Sequence, residues 1–466
     1  MSIFPKRQQK QNPARTATPV RPRPQRGGFN LRGRLMLVCG GLGLCSLALI
    51  GRAVDLQLVD NEFYRKQGDE RFLRELEIPT TRGMITDRNG EPLAVSTPVE
   101  SIWANPQELS RNPDRLPALA RALGVPADYL TRKVLQRSDK EFMWLQRRMN
   151  PARAKTILAL DIPGVFSQRE FRRFYPQGEA LAHVLGFTNI DDEGQEGVEL
   201  AFDEWLRGKP GLEKVIRDRR GRIVENVDLV QPATPGRDLT LSIDRRIQYL
   251  AYRELKRQLL ESGAASGSAV VLDIATGEVL AMANVPSFNP NAVETGNRDG
   301  HRNRAVTDTF EPGSTAKPLT VAAALEAGVI TPHTMFNTSP GWIANGRYRT
   351  TDTHNYGVLD TTGVIRKSSN VGASLIARRL SDQQFYDFFH RMGYGASTHS
   401  GFPGESPGSL PAPSRWSGTS KQTMSYGYGL SVTPLQVARA YAALANGGRA
   451  IQPTFVKGER NEPKQL

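Results

Sequence analysis

The residues able to do chemistry in this 466-residue chain fall in two short segments. Ser314-Thr315-Ala316-Lys317 is the one Ser-x-x-Lys; Glu311-Pro312-Gly313 breaks the structure before it, and the apolar run Leu319 to Ala327 follows, ended by Gly328. The pattern predicts a helix with Ser314 at its N-terminus and Lys317 one turn above on the same face. Free backbone N–H groups and the helix dipole favour an anion there, such as the oxygen of a tetrahedral intermediate. An unprotonated lysine, its pKa lowered by desolvation or a neighbouring cation, can take the serine proton and create a nucleophile without histidine. An isolated match of this kind is more simply a capped helix with a surface lysine. The second segment, Ser368-Ser369-Asn370, precedes the apolar helix Val371 to Ala377 and adds a hydroxyl that can relay a proton and an amide that can bind a substrate backbone. Alone it is weak, since Ser287-Phe288-Asn289 matches it by chance.

Together, EPGSTAKP and KSSNVGAS resemble the penicillin-binding proteins, whose motif set is Ser-x-x-Lys, Ser-x-Asn and Lys-Thr-Gly. With RGMITDRNGEPLA, GQEGVELAFDEWLRG, ATGEVLAMANVPSFNPN and SYGYGLSVTPLQVARAYAALANGG, the chain is similar to the septal class B type from its apolar segment to about Gly448. The resemblance implies that Ser314 is the acylated nucleophile, Lys317 its base, Ser368 the relay and Asn370 the binder of the substrate amide. Tyr426 and Tyr428 would line the cleft, or equally serve as packing aromatics. Asn370, where elongation-type relatives tend to have Asp, favours the septal type, and Arg82, Gly83 and Glu199 match pedestal positions expected to be structural. One departure is plain: no Lys-Ser-Gly or Lys-Thr-Gly occurs, and His399-Ser400-Gly401 precedes a Pro/Gly-rich stretch and reads as a loop. The chain is therefore expected to be a truncated product lacking the third motif, a second oxyanion N–H and most of the sheet.

These residues need a scaffold. Glu70 to Thr80 reads as a strand, and Arg82 to Ala94 as a hairpin whose Asn89-Gly90 turn takes two positive φ angles. Residues 105–160 carry helical periodicity, and Gly194 to Gly211 reads as a short helix between turns. Asp238 to Ile243 alternates as a strand; Ile247 to Leu259 marks a helix face that stops at Gly263. Ser268 to Leu272 and Glu278 to Ala283 form a hairpin, marginal if its edge stays open. Thr433-Pro434-Leu435-Gln436 combines an N-cap, a first-turn proline and a capping-box glutamine, and starts a helix that runs to Asn446-Gly447.

The charge of +14 is local, because residues 1 to 34 hold nine Lys/Arg and no acid. That arm is rich in Arg, Pro and Gln and reads as disordered. Leu35 to Gly51 is uncharged and mostly apolar, close to the minimum for a spanning helix, and the basic side orients the N-terminus to the cytoplasm. An uncleaved anchor is favoured over a signal peptide, whose apolar core is shorter. Cys39 and Cys45 both lie in this span, about 240° apart on a helix, and cannot pair with each other. The scattered histidines lack metal spacing, no phosphate-binding loop occurs, and no zinc-finger, RNP or helix-turn-helix signature accompanies the basic arm.

The expected architecture is α+β: a basic arm (1–34), a transmembrane anchor (35–56), a mixed pedestal domain (57–235) and a truncated transpeptidase domain (236–466) with an antiparallel sheet and helices. The resemblance implies a peptidoglycan D,D-transpeptidase of septum synthesis in the cell inner membrane, with its main domains periplasmic. Its partners would be stem peptides ending in D-Ala-D-Ala, β-lactams and cell-division membrane proteins including a glycosyltransferase; neither metal, organic cofactor nor nucleic acid is implied. Two other classes stay open: a serine β-lactam hydrolase or sensor, and an impaired division component that binds partners without catalysis.

Overall fold

A computed structural model describes residues 31–54, 73–217, 223–293, 298–345, 347–459 and 464–465. Most of the basic arm and residues 55–72, including the start of the strand expected from Glu70, lie outside them. The chain divides into two units, Met1–Leu73 and Arg74–Leu466. In the first, Leu31–Val54 is one helix of 24 residues, about 36 Å long at 1.5 Å per residue, enough for a hydrocarbon core of about 30 Å. Its side chains from Arg32 to Val54 are exposed, and Cys39 and Cys45 are free.

The second unit begins with a five-stranded sheet around the 13-residue strand Pro92–Ala104. That strand pairs antiparallel with Val165–Phe174 along its length, with Met143–Met149 at its far end and with Ile85–Thr86 at its start. Helices Leu116–Leu123, Ala127–Leu135 and Pro151–Leu158 bury Leu119, Leu130, Val134 and Ile157 against Ile102 and Met143. The helical reading of 105–160 thus misses Met143–Met149, which Asn150-Pro151 closes off but whose partner strand lies some forty residues earlier. The Asn89-Gly90 turn also differs from expectation. Only Gly90 takes a positive φ, 87°; the Asp87 carboxylate accepts from the Asn89 and Glu91 N–H groups and holds the turn together with the backbone bonds Asp87 N–H to Glu91 O and Gly90 N–H to Asp87 O.

The expected helix at Gly194 to Gly211 is two, Gly197–Ala201 and Asp203–Leu206, separated at Phe202. The break serves a buried ion cluster. The Glu199 carboxylate, 0% exposed, accepts from Arg82 Nε and Arg173 Nε at 2.6 Å each, and Arg82 also donates to Asp203 at 2.7 Å. Burial alone would lower the Arg82 guanidinium, but Glu199 and Asp203 outweigh it and hold its pKa above the ordinary value. Beside it a Cβ on Gly83 would lie 1.9 Å from the Arg237 carbonyl oxygen, so only glycine admits that approach.

Asp244 caps the helix Arg245–Ser262, which ends at Gly263 with φ 67°, and its Gln248 side chain bonds the backbone of Met282 in the following hairpin. That hairpin, Gly267–Leu272 with Val279–Val285, remains two-stranded but is not isolated. Two helices, Arg245–Ser262 and Pro434–Ala445, pack on it, and Val279 N–H donates to Thr454 O at 2.9 Å. Asp238 to Ile243 supplies only Leu239–Thr240 as strand, plus a bridge from Leu241 to Val456. The remaining helices surround Leu319, Ile376, Phe385, Phe389, Tyr394 and Met424. The capping box at Thr433 and Gln436 forms as the spacing predicts.

Candidate active site

Gly313–Ala316 is a single 3-10 turn that runs directly into the α-helix Lys317–Glu326. Ser314 therefore sits on that turn and not on the α-helix itself. The difference matters, because a 3-10 turn eclipses residues i and i+3. Lys317 is brought straight over Ser314, and its Nζ lies 3.0 Å from Ser314 Oγ. Ser314 is exposed, whereas Lys317 is 2% exposed.

The second segment arrives from helix Thr361–Lys367, which ends at Ser368 in the left-handed conformation with φ 52°. For a residue with a Cβ that conformation costs about 1 kcal/mol or more. It directs both oxygens of Ser368 to the lysine: Nζ is 3.0 Å from Ser368 Oγ and also donates to the Ser368 carbonyl. Three acceptors thus surround one nitrogen. As an ammonium, Lys317 satisfies all three; as a free amine it still donates to both Ser368 oxygens and turns its lone pair to the Ser314 O–H. Burial, opposed by the charge of Asp352, pushes Lys317 down to about 8, so about a tenth of it is neutral at pH 7.

Ser369 starts the helix Asn370–Ala377, its hydroxyl accepting from Gly372 N–H at 2.8 Å and donating to Asp352 Oδ2 at 2.5 Å. Asn370 Nδ2 donates to the Thr351 carbonyl at 3.0 Å, which leaves its Oδ1 for an incoming N–H. Thr351 ends the strand Tyr348–Thr351, which pairs antiparallel with Trp342–Asn345. Tyr426 reaches the same strand, its OH 3.3 Å from Thr350 Oγ1, while Tyr428 is 50% exposed and edge-on to Tyr426 at 5.8 Å between ring centres. Between them Gly427 supports the nucleophile: its carbonyl accepts from Gly313 N–H at 3.0 Å, and a Cβ there would lie 2.0 Å from the Gly313 oxygen.

The structure thus joins Ser314 and Ser368 through Lys317 Nζ, and ties both Asn370 and Tyr426 to the strand Tyr348–Thr351. His399-Ser400-Gly401 is a loop and lines a separate cavity of about 210 Å³ with Val198, Phe202 and Thr454. A larger groove, about 820 Å³, runs past Thr315 between the open edge of Gly267–Leu272 and helix Pro434–Ala445. Sequence reasoning missed Asp352 and the buried role of Ser369. Nothing near Thr351-Asp352-Thr353 marks it, whereas the Tyr-Gly-Tyr-Gly alternation was a visible sign that glycine is needed beside the nucleophile turn.

Family models match in two places: a penicillin-binding protein transpeptidase domain over residues 267–466 and a penicillin-binding protein dimerisation domain over 77–241. The chain is 44% identical over 444 residues to the peptidoglycan D,D-transpeptidase FtsI of Escherichia coli K12, covering 93% of this chain and 75% of that one. It is 42% identical over 433 residues to the probable peptidoglycan D,D-transpeptidase PbpC of Pseudomonas aeruginosa, covering 93% and 77%. Among solved structures, penicillin-binding protein 3 of Mycobacterium tuberculosis complexed with aztreonam is similar with a TM-score of 0.62 at 28% identity, over 84% of this chain and 72% of that one.

Proposed function

This chain belongs to the class B penicillin-binding proteins, the peptidoglycan D,D-transpeptidases, and on that premise we propose that Ser314 is its acylated nucleophile, Lys317 the general base, Ser368 the proton relay and Asn370 the substrate anchor. The observation that carries this reading is the position of Lys317 Nζ, 3.0 Å from both Ser314 Oγ and Ser368 Oγ. A donor stem peptide ending in D-Ala-D-Ala lies along the Trp342–Thr351 hairpin with an amide N–H on Asn370 Oδ1. Ser314 Oγ attacks the penultimate D-Ala carbonyl carbon while its proton passes to neutral Lys317, and backbone N–H groups at the head of the turn meet the oxyanion. When the C–N bond breaks, the proton passes through Ser368 Oγ to the departing D-Ala nitrogen. An acceptor amine from a second stem peptide then reverses these steps, gives its proton to Lys317 and leaves a new amide and free Ser314. A β-lactam follows the first half: its ring C–N bond opens, but the nitrogen stays tethered, so the acyl-enzyme persists. Tyr426 and Tyr428 line the cleft.

The helix Leu31–Val54 anchors the chain in the inner membrane, with the basic arm cytoplasmic and residues 74–466 periplasmic at the division septum. There the protein works with other division membrane proteins, a glycosyltransferase among them. A reporter active only outside the cytoplasm should work when fused after Asp60; activity when fused before Arg34 reverses the orientation.

The chemical test is labelling of the full chain in detergent with a fluorescent penicillin. A stable adduct on Ser314, absent from Ser314→Ala, is the expected result. Rapid loss of the adduct would favour a hydrolase or sensor. Absence of any label would favour a non-catalytic division component.

A further inference from the structure

Asp352 lies one residue beyond the strand Tyr348–Thr351. Its own N–H donates to the Gly341 carbonyl at 2.9 Å, which ties it to the base of the hairpin. Its carboxylate reaches across to the second motif, where Oδ2 accepts from Ser369 Oγ at 2.5 Å and Oδ1 from Val371 N–H at 3.0 Å. These two bonds bracket the segment that must deliver Ser368 to Lys317 and Asn370 to the substrate. They also place a negative charge at a helix N-terminus, where it is stabilising. Ser368 holds an unfavourable left-handed conformation just before this clamp, and such a conformation persists only where its surroundings enforce it.

Asp352 also faces the base. The elements around Lys317 carry several other titratable groups: Glu311 before the nucleophile turn, Arg366 and Lys367 at the end of helix Thr361–Lys367, and Tyr426 and Tyr428 in the loop after Ser425. The helix Asn370–Ala377 carries none, and the charges of helix Asp382–Arg391 meet the far end of the lysine helix, where Arg391 pairs with Glu326. Glu311 is engaged elsewhere, its Oε1 accepting from Gly429 N–H at 2.8 Å. Asp352 is the charge that acts on Lys317, favouring its ammonium form.

We propose that Asp352 is a positioning residue of the acylation centre: it clamps the Ser368–Asn370 segment through Ser369 and Val371, and its charge holds a proton on Lys317 until a substrate arrives. This rests on Lys317 being the base. Two variants separate clamp from charge. Ser369→Ala removes the clamp hydroxyl and keeps the carboxylate; Asp352→Asn keeps the shape, removes the charge and, with one oxygen replaced by NH2, keeps one of the two clamp bonds.

Two readouts on the full chain in detergent test it. The first is the pH dependence of penicillin acylation. Asp352→Asn should lower the plateau about tenfold and move the midpoint down by about half a unit or more, since losing a nearby opposite charge makes the lysine easier to deprotonate. Ser369→Ala should lower the plateau without moving the midpoint, and Asp352→Glu should restore the midpoint in part. The second is competitive acetylation by acetic anhydride, with the Lys317 peptide quantified by mass spectrometry, which reads the lysine's proton without any β-lactam. Below the midpoint, Asp352→Asn should raise the reactive fraction of Lys317 about threefold. A plateau loss with no shift in either profile would reduce Asp352 to a structural residue and overturn the proposal. Absence of acylation in the unsubstituted chain would overturn the enzymatic reading instead, while acetylation would still decide whether Asp352 governs Lys317.

Discussion

Replacing Lys317 by methionine should abolish acylation and, below neutral pH, leave the fold at least as stable. The buried lysine titrates near 8 in the folded chain against an ordinary 10.5. Because the folded pKa of this cation is depressed, folding releases its proton in the window between these values. The destabilisation is fully present below about pH 8 and fades as pH rises toward 10.5. Integrating the proton uptake gives a penalty of about 3 kcal/mol at pH 6.5 and about 1.4 kcal/mol at pH 9.5. Methionine has a similar length and no charge, so it removes that penalty. It also removes the hydrogen bonds to Ser314 and Ser368, a loss of about 1 kcal/mol each at most, since Ser314 and Ser368 are exposed and water replaces the lysine there. The hydrogen-bond loss is nearly independent of pH and cancels when the two conditions are compared. Urea unfolding of both full chains in the same detergent should therefore show the variant's relative stability falling by about 2 kcal/mol between pH 6.5 and 9.5. An identical difference at the two pH values would mean that Lys317 has an ordinary pKa, and the description of it as a base poised near neutrality would be wrong.

Glu199→Ala leaves Arg82 and Arg173 buried with their shared carboxylate gone; a loss of about 3–5 kcal/mol is expected in the same unfolding assay, and a loss under about 1 kcal/mol would show that water or Asp203 compensates. Gly427→Ala must accommodate a Cβ against the Gly313 backbone at a φ of 87°. Penicillin labelling should fall at least about tenfold by displacement of Ser314, with the resistance of residues 77–241, the dimerisation-domain match, to protease unchanged, and wild-type labelling would remove Gly427 from the site's support.

Local patterns determine what a sequence shows alone, and in this protein they determined a good deal. The apolar run with its basic flank, the cap and stop residues of helices Arg245–Ser262 and Pro434–Ala445, and the hairpin around Gly277 each depend on residues within one turn or one strand of one another. Ser314 and Lys317 belong to that class, since three residues separate them and backbone geometry brings them together. The wider site does not. The meeting of Lys317 with Ser368 joins parts of the chain 51 residues apart, and the pairing of Met143–Met149 with Pro92–Ala104 likewise needs a partner that periodicity cannot reveal. The left-handed Ser368 runs against its residue type, so nothing local announces it. Asp352 is ordinary in sequence and acquires its role because Tyr348–Thr351 lies beside the start of helix Asn370–Ala377. Burial completes the difference: a lysine's proton affinity near 8 is a property of the packing around it, and packing is decided by contacts distant along the chain.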